Sequence, residues 1–301
     1  MERYNLAIAY TWEYDEDFVA MIEEQFHELH LATYKVKVEN VYEVTERLKK
    51  RSLAFDCYLD RASDVNPDFD DIALMLSRRS TRIFNPYKLI THAIDKASMH
   101  LEFITAGLNT PYSIIIPPFS EKQQIYIALD DLAILGRPFI IKPANTTGGG
   151  IGVVTGAETL KDVLEERMTN SEDKYIIQEK IFPVHLNGKR AWFRCFWSFG
   201  KVIPAWWDDQ SHLYSELSYE EISRYNLRDL FTITRKIAKI TGLDFFSTEI
   251  VYSTKNKFLV VDYVNDQCDM RIKSKHFDGV PDSIVSQIIS DMARMVKKYR
   301  S

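Results

Sequence analysis

Glycine and cysteine are scarce in this 301-residue sequence, which has 11 glycines and three cysteines, and long apolar runs are missing. No stretch approaches the ~18 consecutive apolar residues that a membrane-spanning helix needs, so we expect no membrane partner. Cys57, Cys195 and Cys268 lie far apart and form no CxxC pair. This pattern argues against a zinc site or a disulfide framework and favours a reducing cytoplasm.

An excess of basic residues is also missing. The chain has 38 Lys and Arg against 43 Asp and Glu, a net charge of −5, and no Lys/Arg stripe marks a nucleic-acid surface. The first ten residues are too polar for a signal peptide. We therefore expect a cytoplasmic protein that does not bind nucleic acid. A homo-oligomer is compatible with the sequence.

The first third of the chain alternates between strand and helix patterns. Strands are predicted at 5–11, 34–38, 55–59 and 81–84, with helices at 15–31, 42–50 and 68–78. This order predicts a parallel sheet with helices on both faces. The loop from Asp60 to Asp64 follows the third strand, where ligands often bind. An ordinary polar turn is the alternative interpretation of that loop.

The rest of the chain mixes helices with strands that we expect to be antiparallel. Helices are predicted at about 87–106 and at 121–135, 158–168, 229–241 and 282–298, and strands at 112–116, 138–143, 151–155, 175–179, 191–199 and 201–206. With a length sufficient for two or three lobes, we expect an N-terminal α/β lobe (1–95), a central lobe with a glycine-rich loop (96–182) and a C-terminal lobe with a metal site (183–301).

Five of the 11 glycines fall between residues 148 and 156. Gly148, Gly149 and Gly150 come soon after a buried strand that ends at Lys142. Glycines let backbone N–H groups approach a phosphate without obstruction by Cβ. The run lacks both the Walker A ending and the GxGxxG spacing. It predicts a phosphate-covering loop, with Lys142 pointing into the adjacent cleft. A tight hairpin turn and an outward-pointing lysine are the alternatives.

Two acids flank the turn at residues 254–257. Segments 245–253 and 258–264 have strand composition. A hairpin centred between Lys255 and Asn256 pairs Glu249 with Asp262, 251 with 260, and 253 with 258. Opposed like charges destabilise a sheet unless a cation lies between them. Oxygen ligands favour magnesium or manganese, and Asn265 offers another oxygen. Two unrelated acids on a solvated face are the alternative.

These motifs come in a characteristic order along the chain. The order is Asp95-Lys96, Ile141-Lys142-Pro143, the triple glycine, Gln178-Glu179-Lys180-Ile181, Arg194, Glu249 and Asp262-Tyr263-Val264-Asn265. It resembles the ATP-grasp superfamily, closest to its carboxylate–amine ligases such as D-alanine–D-alanine ligase and the ribosomal-protein glutamate ligase. The resemblance covers most of the chain. It implies an ATP-grasp fold, α/β and α+β in class, with an N-terminal parallel α/β lobe in front of it.

The resemblance also implies a role for each motif. Lys96 and Lys142 would contact the ATP phosphates, and Gly148, Gly149 and Gly150 would close over them. Glu179, Lys180 and Ile181 would form the adenine hinge. Arg194, with Lys142, would act on the transferring phosphate. Glu249, Asp262 and Asn265 would hold two Mg²⁺ ions, with Mn²⁺ as an alternative.

Three departures from the family pattern concern the substrates. The chain continues from Asn265 through Asp266 and Gln267 to Cys268 and does not reach a proline, so the acceptor is expected to be unusual. No acid that could hold the ribose hydroxyls stands around 183–186. The loop after Trp206 also differs from that of the glutamate ligases. Arg61, Trp207 and Arg271 are the candidate substrate residues, and a packed aromatic cluster is the alternative for the tryptophans.

The implied function is an ADP-forming ligase. The γ-phosphate passes to a small-molecule carboxylate, and an amine, free or carried on a protein, displaces phosphate from the acyl phosphate. Two alternatives stay open. An inositol-phosphate-like kinase on the same fold would use the basic residues Arg61, Arg271, Lys273 and Lys275. A non-catalytic ATP-binding protein would keep the fold without turnover.

Overall fold

Three larger β-sheets organise the chain in a computed structural model, which describes residues 1–145 and 152–300. The first sheet is parallel and the other two are antiparallel. No helix within these residues is both long and apolar enough to cross a membrane. The mixed α/β and α+β class expected from the sequence is confirmed.

The N-terminal sheet has the strand order β2-β1-β3-β4. Its strands are β1 (Glu2–Tyr10), β2 (Thr33–Val36), β3 (Leu53–Arg61) and β4 (Arg82–Phe84), and its helices are α1 (Glu16–Glu28), α2 (Val41–Lys49) and α3 (Asp70–Ser77). Leu6 and Ile8 of β1 belong to one apolar cluster, and Ala7 and Ala9 to another. Since alternate residues of a strand face opposite sides, the sheet is covered on both faces, as is usual for parallel sheets.

The single helix predicted at 87–106 is wrong, because Asp95 divides it in two. The structure has α4 (Tyr87–Ala93) and α5 (Lys96–Thr105). The Asp95 carboxylate accepts hydrogen bonds from the backbone N–H groups of Ala97 (2.9 Å) and Ser98 (3.1 Å). This N-cap starts a new helix and makes Lys96 its first residue.

The second sheet has the order β5-β8-β6-β7. Its elements are β5 (Ser113–Ile116), α6 (Leu129–Leu135), β6 (Phe139–Pro143), β7 (Val154–Ala157), α7 (Leu160–Thr169) and β8 (Tyr175–Glu179). The helix predicted at 121–135 is wrong in its first half. The buried Arg167 of α7 donates hydrogen bonds to the carbonyls of Pro117 and Lys122, both at 2.7 Å. These bonds hold residues 117–122 against α7 and keep them out of a regular helix.

The third sheet has the order β13-β12-β11-β14-β15. A two-stranded hairpin, β9 (His185–Leu186) and β10 (Lys189–Arg190), precedes it, and the remaining elements are β11 (Trp192–Ser198), β12 (Lys201–Trp207), β13 (Tyr214–Glu216), α8 (Tyr219–Arg224), α9 (Asp229–Thr241), β14 (Phe245–Tyr252), β15 (Phe258–Asn265) and α10 (Asp282–Tyr299). The small hairpin, β13 and α8 were not predicted from the sequence. One apolar cluster joins residues of β1, α1, β11 and α10, so the first and third sheets share a core.

Gly279 lies where a side chain has no room. A Cβ at this position would lie 2.5 Å from the Arg271 carbonyl oxygen and 2.8 Å from the carbonyl carbon of Ile272. We expect Gly279→Ala to lower the free energy of unfolding by roughly 2 kcal/mol through overpacking. The control is Gly156→Ala, because a Cβ there would meet no atom within 4 Å. Urea denaturation compares the two variants, and equal midpoints would contradict the prediction.

Candidate functional site

Strands β14 and β15 place Glu249 directly opposite Asp262, which confirms the predicted pairing of the two carboxylates. The predicted pairings of 251 with 260 and of 253 with 258 are wrong by one residue. Val251 pairs with Leu259, because Val261 is an extra residue on β15 next to the acid pair. The extra residue forms a β-bulge, a feature that often re-aims groups beside functional sites.

Lys142, at the end of β6, reaches this bulge. Its Nζ donates a hydrogen bond to the Val261 carbonyl oxygen at 2.9 Å and lies 5.3 Å from the centre of the Tyr263 ring. The residue is only 6% exposed. Lys142 therefore crosses from the second sheet to the third instead of extending into solvent.

Charges from α5 and from the third sheet act on Lys142. Burial lowers its pKa from 10.5 to about 8, against the opposing effect of Asp262, while the positive charge of Lys96 adds to the lowering and Glu249 opposes it. Such effects require charges that are close in space. The structure therefore places Lys96, Glu249 and Asp262 within electrostatic reach of Lys142.

Two donors hold the Glu249 carboxylate. Arg194, its register partner on β11, forms an ion pair with Oε1, and the Trp192 indole donates a hydrogen bond to Oε2 at 2.9 Å. Burial raises the pKa of Glu249; the Arg194 guanidinium opposes this shift, and the charge of Asp262 adds to it. Burial alone would lower the pKa of Arg194, but Tyr214, Glu249 and Asp262 together raise it. Arg194 therefore stays charged.

Asp262 and Asn265 add side-chain oxygen atoms from β15, where they pair with Glu249 and Ser247 of β14. Within residues 1–145 and 152–300, the Asp262 carboxylate and the Asn265 side-chain amide form no hydrogen bond and no ion pair. Among the same residues, no group of three or more His, Cys, Asp or Glu side chains could by itself hold a metal ion. Two carboxylates and an amide nevertheless suit Mg²⁺, which commonly takes one or two carboxylates and completes its shell with water and substrate phosphates.

An apolar cluster adjoins these charged groups and consists of Ile181, Trp192, Val251, Leu259 and Val261. Trp192 pairs with Val251, and Arg194 pairs with Glu249 two residues further along the same strands. Residues two apart on a strand share a face. One face of the third sheet therefore carries an apolar cluster followed by Arg194, Glu249 and Asp262. We define these three residues, together with Lys142, which reaches the third sheet from β6, as the charged row.

Comparison with known proteins identifies the fold. No protein-family profile and no curated protein matches the sequence. A RimK domain ATP-grasp protein from Sphaerobacter thermophilus matches with a TM-score of 0.62 at 15% identity, over 95% of this chain and 98% of its own. D-alanine–D-alanine ligase from Bacillus anthracis, complexed with ATP, matches with a TM-score of 0.61 at 15% identity, over 100% of both chains. The chain has the ATP-grasp fold. The ATP-grasp ligase PsnB, complexed with minimal precursor, Mg and ADP, matches with a TM-score of 0.59 at 12% identity, over 95% of this chain and 98% of its own.

The hinge predicted at Glu179, Lys180 and Ile181 begins at the last residue of β8, an inner strand of the second sheet. Glu179 accepts a hydrogen bond from the Tyr112 N–H at 3.0 Å and pairs with Lys255 at 2.8 Å. In the described part of the chain, no hydrogen bond involves the backbone of Lys180 or Ile181. The predicted phosphate loop at Gly148, Gly149 and Gly150 lies outside the described residues.

Of the two adjacent tryptophans, Trp207 lies beside the charged row. Its ring centre is 4.7 Å from the Arg194 guanidinium carbon, and its ring stacks on His212 with a centroid separation of 5.5 Å. Trp206 lies on the opposite face and packs against Phe193. Trp207 is therefore the tryptophan that remains a candidate for a substrate contact.

The other candidate substrate residues, Arg61 and Arg271, are held in ion pairs. Arg61 is buried, pairs with Asp15 at 2.8 Å and donates to the Cys268 carbonyl oxygen at 3.0 Å. Arg271 pairs with Asp269 at 2.7 Å and with Asp278 at 3.0 Å. These contacts favour a structural role for both arginines. Cys268 is fully buried, and burial raises the pKa of its thiol to about 12, as expected for an unreactive cysteine.

Sequence reasoning did not assign a role to two residues at this site, Trp192 and Tyr263. The Tyr263 hydroxyl lies 2.5 Å from Nδ1 of His100 and accepts from the Gln178 side chain at 3.3 Å, beneath Lys142. Burial lowers the pKa of His100 to about 4, so its ring is neutral. Trp192 precedes Arg194 by two residues, and this spacing was the available signal that both side chains share a face. No pattern in the sequence signalled the contacts of Tyr263.

Proposed function

We propose that this chain is an ATP-dependent ligase that joins a carboxylate to an amine and forms ADP and phosphate. The observation that carries the proposal is the order of groups on one face of the third sheet, where the apolar cluster adjoins the charged row. A nucleotide needs an apolar surface for its base and positive charge for its phosphates. The ATP-grasp fold supports this assignment.

The base would lie on the apolar cluster, beside the backbone groups of Lys180 and Ile181, which form no hydrogen bond with any described residue. Lys96 and Lys142 would contact the phosphates, with Gly148, Gly149 and Gly150 over them. In this proposal the lobes 96–182 and 183–301 hold the nucleotide between them. The lobe 1–95 contributes the edge of its parallel sheet that faces the substrates.

Glu249, Asp262 and Asn265 would hold two Mg²⁺ ions, or Mn²⁺ in their place. The donor set supports this, because all three side chains offer oxygen and no described residue forms a hydrogen bond or ion pair with the Asp262 carboxylate. Magnesium bound there would neutralise charge on the phosphates during transfer. It would also relieve the repulsion between the two opposed carboxylates.

The remaining chemistry belongs to the side chains of the charged row. A carboxylate oxygen of the substrate attacks the γ-phosphorus, and ADP leaves. The amine then attacks the acyl carbon, and phosphate leaves with that carboxylate oxygen. Lys142 and Arg194 stabilise the charge on the phosphoryl group in the first step, which depends mainly on positioning and electrostatics. A closed site keeps water from hydrolysing the acyl phosphate.

The basic residues that a kinase for polyanionic alcohols would use are engaged elsewhere. Arg61 pairs with Asp15, Arg271 pairs with two aspartates, Lys275 pairs with Asp17, and Lys273 donates to a backbone carbonyl. No surplus of positive charge remains among these four residues to bind several phosphates. This favours the ligase over the kinase.

Product analysis tests the proposal. Purified protein is incubated with ATP, Mg²⁺ and pools of carboxylic acids and amines, and ADP, free phosphate and new masses are measured together. We expect an amide and free phosphate in equal amounts, and no turnover by Asp262→Asn. A phosphorylated alcohol without free phosphate would show a kinase instead. ATP binding without turnover in every pool would show a non-catalytic protein.

A further inference from the structure

We propose that Trp192 is a positioning residue that orients the metal ligand Glu249 and links it to the surface that holds the base. The inference rests on the proposed function, because it concerns the same nucleotide and metal site. Neither the fold nor the motif order assigns a role to this tryptophan.

The first observation is the hydrogen bond from the Trp192 indole. Its Nε1–H donates to Glu249 Oε2 at 2.9 Å, while Arg194 engages the other carboxylate oxygen. The Glu249 side chain is only 13% exposed, so each donor replaces water that the buried carboxylate would otherwise need. The two donors together fix the plane of the carboxylate.

The second observation is where the indole ring lies. Trp192 packs in the apolar cluster with Ile181, Val251, Leu259 and Val261. Val251 is the register partner of Trp192 and fixes the position of the indole on the sheet face. Val261 supplies the backbone carbonyl that accepts a hydrogen bond from Lys142. A base resting on this cluster would contact the surface that holds the indole. The packing of the base would therefore restrain the Trp192 indole, whose N–H donates the hydrogen bond to Glu249.

The third observation separates the roles of the two donors. Arg194 is also expected to act on the transferring phosphate, and its guanidinium is near the ring of Trp207 as well as Glu249. The Trp192 side chain has one polar hydrogen, on Nε1, and donates it in a hydrogen bond to Glu249. The indole can therefore keep Glu249 oriented while Arg194 engages phosphate. Hydrogen bonds to metal-ligating carboxylates are known to tune metal affinity.

Trp192→Phe tests the proposal, because it keeps an aromatic ring in the cluster and removes the donor. The matched control is Trp206→Phe, which removes an indole hydrogen bond to another carboxylate, Glu221 at 3.2 Å, on the opposite face. Mn²⁺ is titrated by electron paramagnetic resonance in the presence of AMPPNP. We expect about ten-fold weaker Mn²⁺ binding in Trp192→Phe and unchanged binding in Trp206→Phe.

The outcomes separate this inference from the proposed function. Mn²⁺ binding by Trp192→Phe that equals the wild type, in a wild type that does bind Mn²⁺, would overturn the role of Trp192 and leave the ligase intact. A wild-type protein that binds no Mn²⁺ with AMPPNP would overturn both. Equal losses of Mn²⁺ affinity in Trp192→Phe and Trp206→Phe would show a general structural effect and would also overturn the proposal.

A second measurement needs no variant at position 192. The protein is labelled with 5-fluorotryptophan, and the five resonances are assigned by elimination with phenylalanine variants at Trp12, Trp197, Trp206 and Trp207. We expect the Trp192 resonance to shift when Mg²⁺ is added to the AMPPNP complex, while that of Trp206 does not. A Trp192 resonance that stays in place would overturn the proposal.

Discussion

Lys142→Met should lower ATP-dependent turnover by about 100-fold or more without destabilising the protein. Lys142 is the buried cation that bridges the second and third sheets, with its Nζ on the Val261 carbonyl and close to Glu249 and Asp262. Removing one preorganised charge from a phosphoryl-transfer site costs on the order of 100-fold or more in turnover. Steady-state kinetics of ADP formation measures the loss.

The stability of Lys142→Met follows from the buried charge. Lowering the Lys142 pKa from 10.5 to about 8 corresponds to a cost on the order of 3 kcal/mol for folding with the charged lysine. Methionine removes that cost and loses one hydrogen bond, worth about 1 kcal/mol. We therefore expect the free energy of unfolding at pH 7 to equal or exceed that of the wild type.

The pH dependence of stability gives a further check with a definite sign. Below pH 8 the lysine is charged in both folded and unfolded chains, so the cost is fully present. Between about pH 8 and 10.5 the unfolded chain holds more protons, so wild-type stability rises with pH relative to Lys142→Met. Urea denaturation across this range measures the rise in wild-type stability relative to Lys142→Met, which should total on the order of 3 kcal/mol and level off above pH 10.5.

Lys161→Met is the control for this prediction. Lys161 lies on α7, which packs against β6, and has a side chain that is 80% exposed and an ion pair to Glu165 within the helix. Such exposed pairs contribute less than about 1 kcal/mol. The control should keep full turnover. Full turnover by Lys142→Met would contradict the assignment of Lys142 to the phosphates.

Asp15→Ala should destabilise the protein more than any surface substitution. Asp15 and Arg61 form a buried ion pair in which Arg61 donates through both Nε and Nη2 at 2.8 Å. Removing the aspartate leaves a buried guanidinium without its partner. Breaking a buried pair in this way costs about 3–5 kcal/mol. Thermal and urea denaturation should show a loss of this size.

The double variant Asp15→Ala/Arg61→Met separates charge burial from packing. Replacing both members of a buried pair with apolar residues is often neutral or stabilising. The double variant should therefore recover most of the stability that Asp15→Ala loses. It also tests the substrate role predicted for Arg61, because a structural arginine can be replaced in this background with turnover retained. Lost turnover in a stable double variant would restore Arg61 as a substrate residue.

Local patterns were sufficient to predict much of the fold. Strand composition on both sides of a short turn placed Glu249 opposite Asp262, and this pairing does not depend on distant residues. The bulge at Val261 was not predictable, because its carbonyl is used by Lys142, which lies more than 100 residues earlier in the chain. A local pattern carries no information on a partner at that distance.

The errors in helix prediction have similar causes. An acid at position 95 fits a continuous helix pattern, and the sequence does not show that its side chain caps a new helix. The helix prediction failed in the segment before α6 because the buried guanidinium of Arg167, from a later helix, binds carbonyls of that segment. Arg61 looked like a free substrate contact for the same reason, since its partner Asp15 is distant in sequence.

The transfer of oxygen from the substrate carboxylate to phosphate tests the central claim most directly. The protein is incubated with ATP, Mg²⁺, amines and a pool of ¹⁸O-labelled carboxylic acids, and the released phosphate is examined by mass spectrometry. An acyl phosphate broken by an amine leaves one labelled oxygen in each phosphate, and we predict that label. Phosphate released without ¹⁸O, or ATP consumed with no free phosphate at all, would contradict the account.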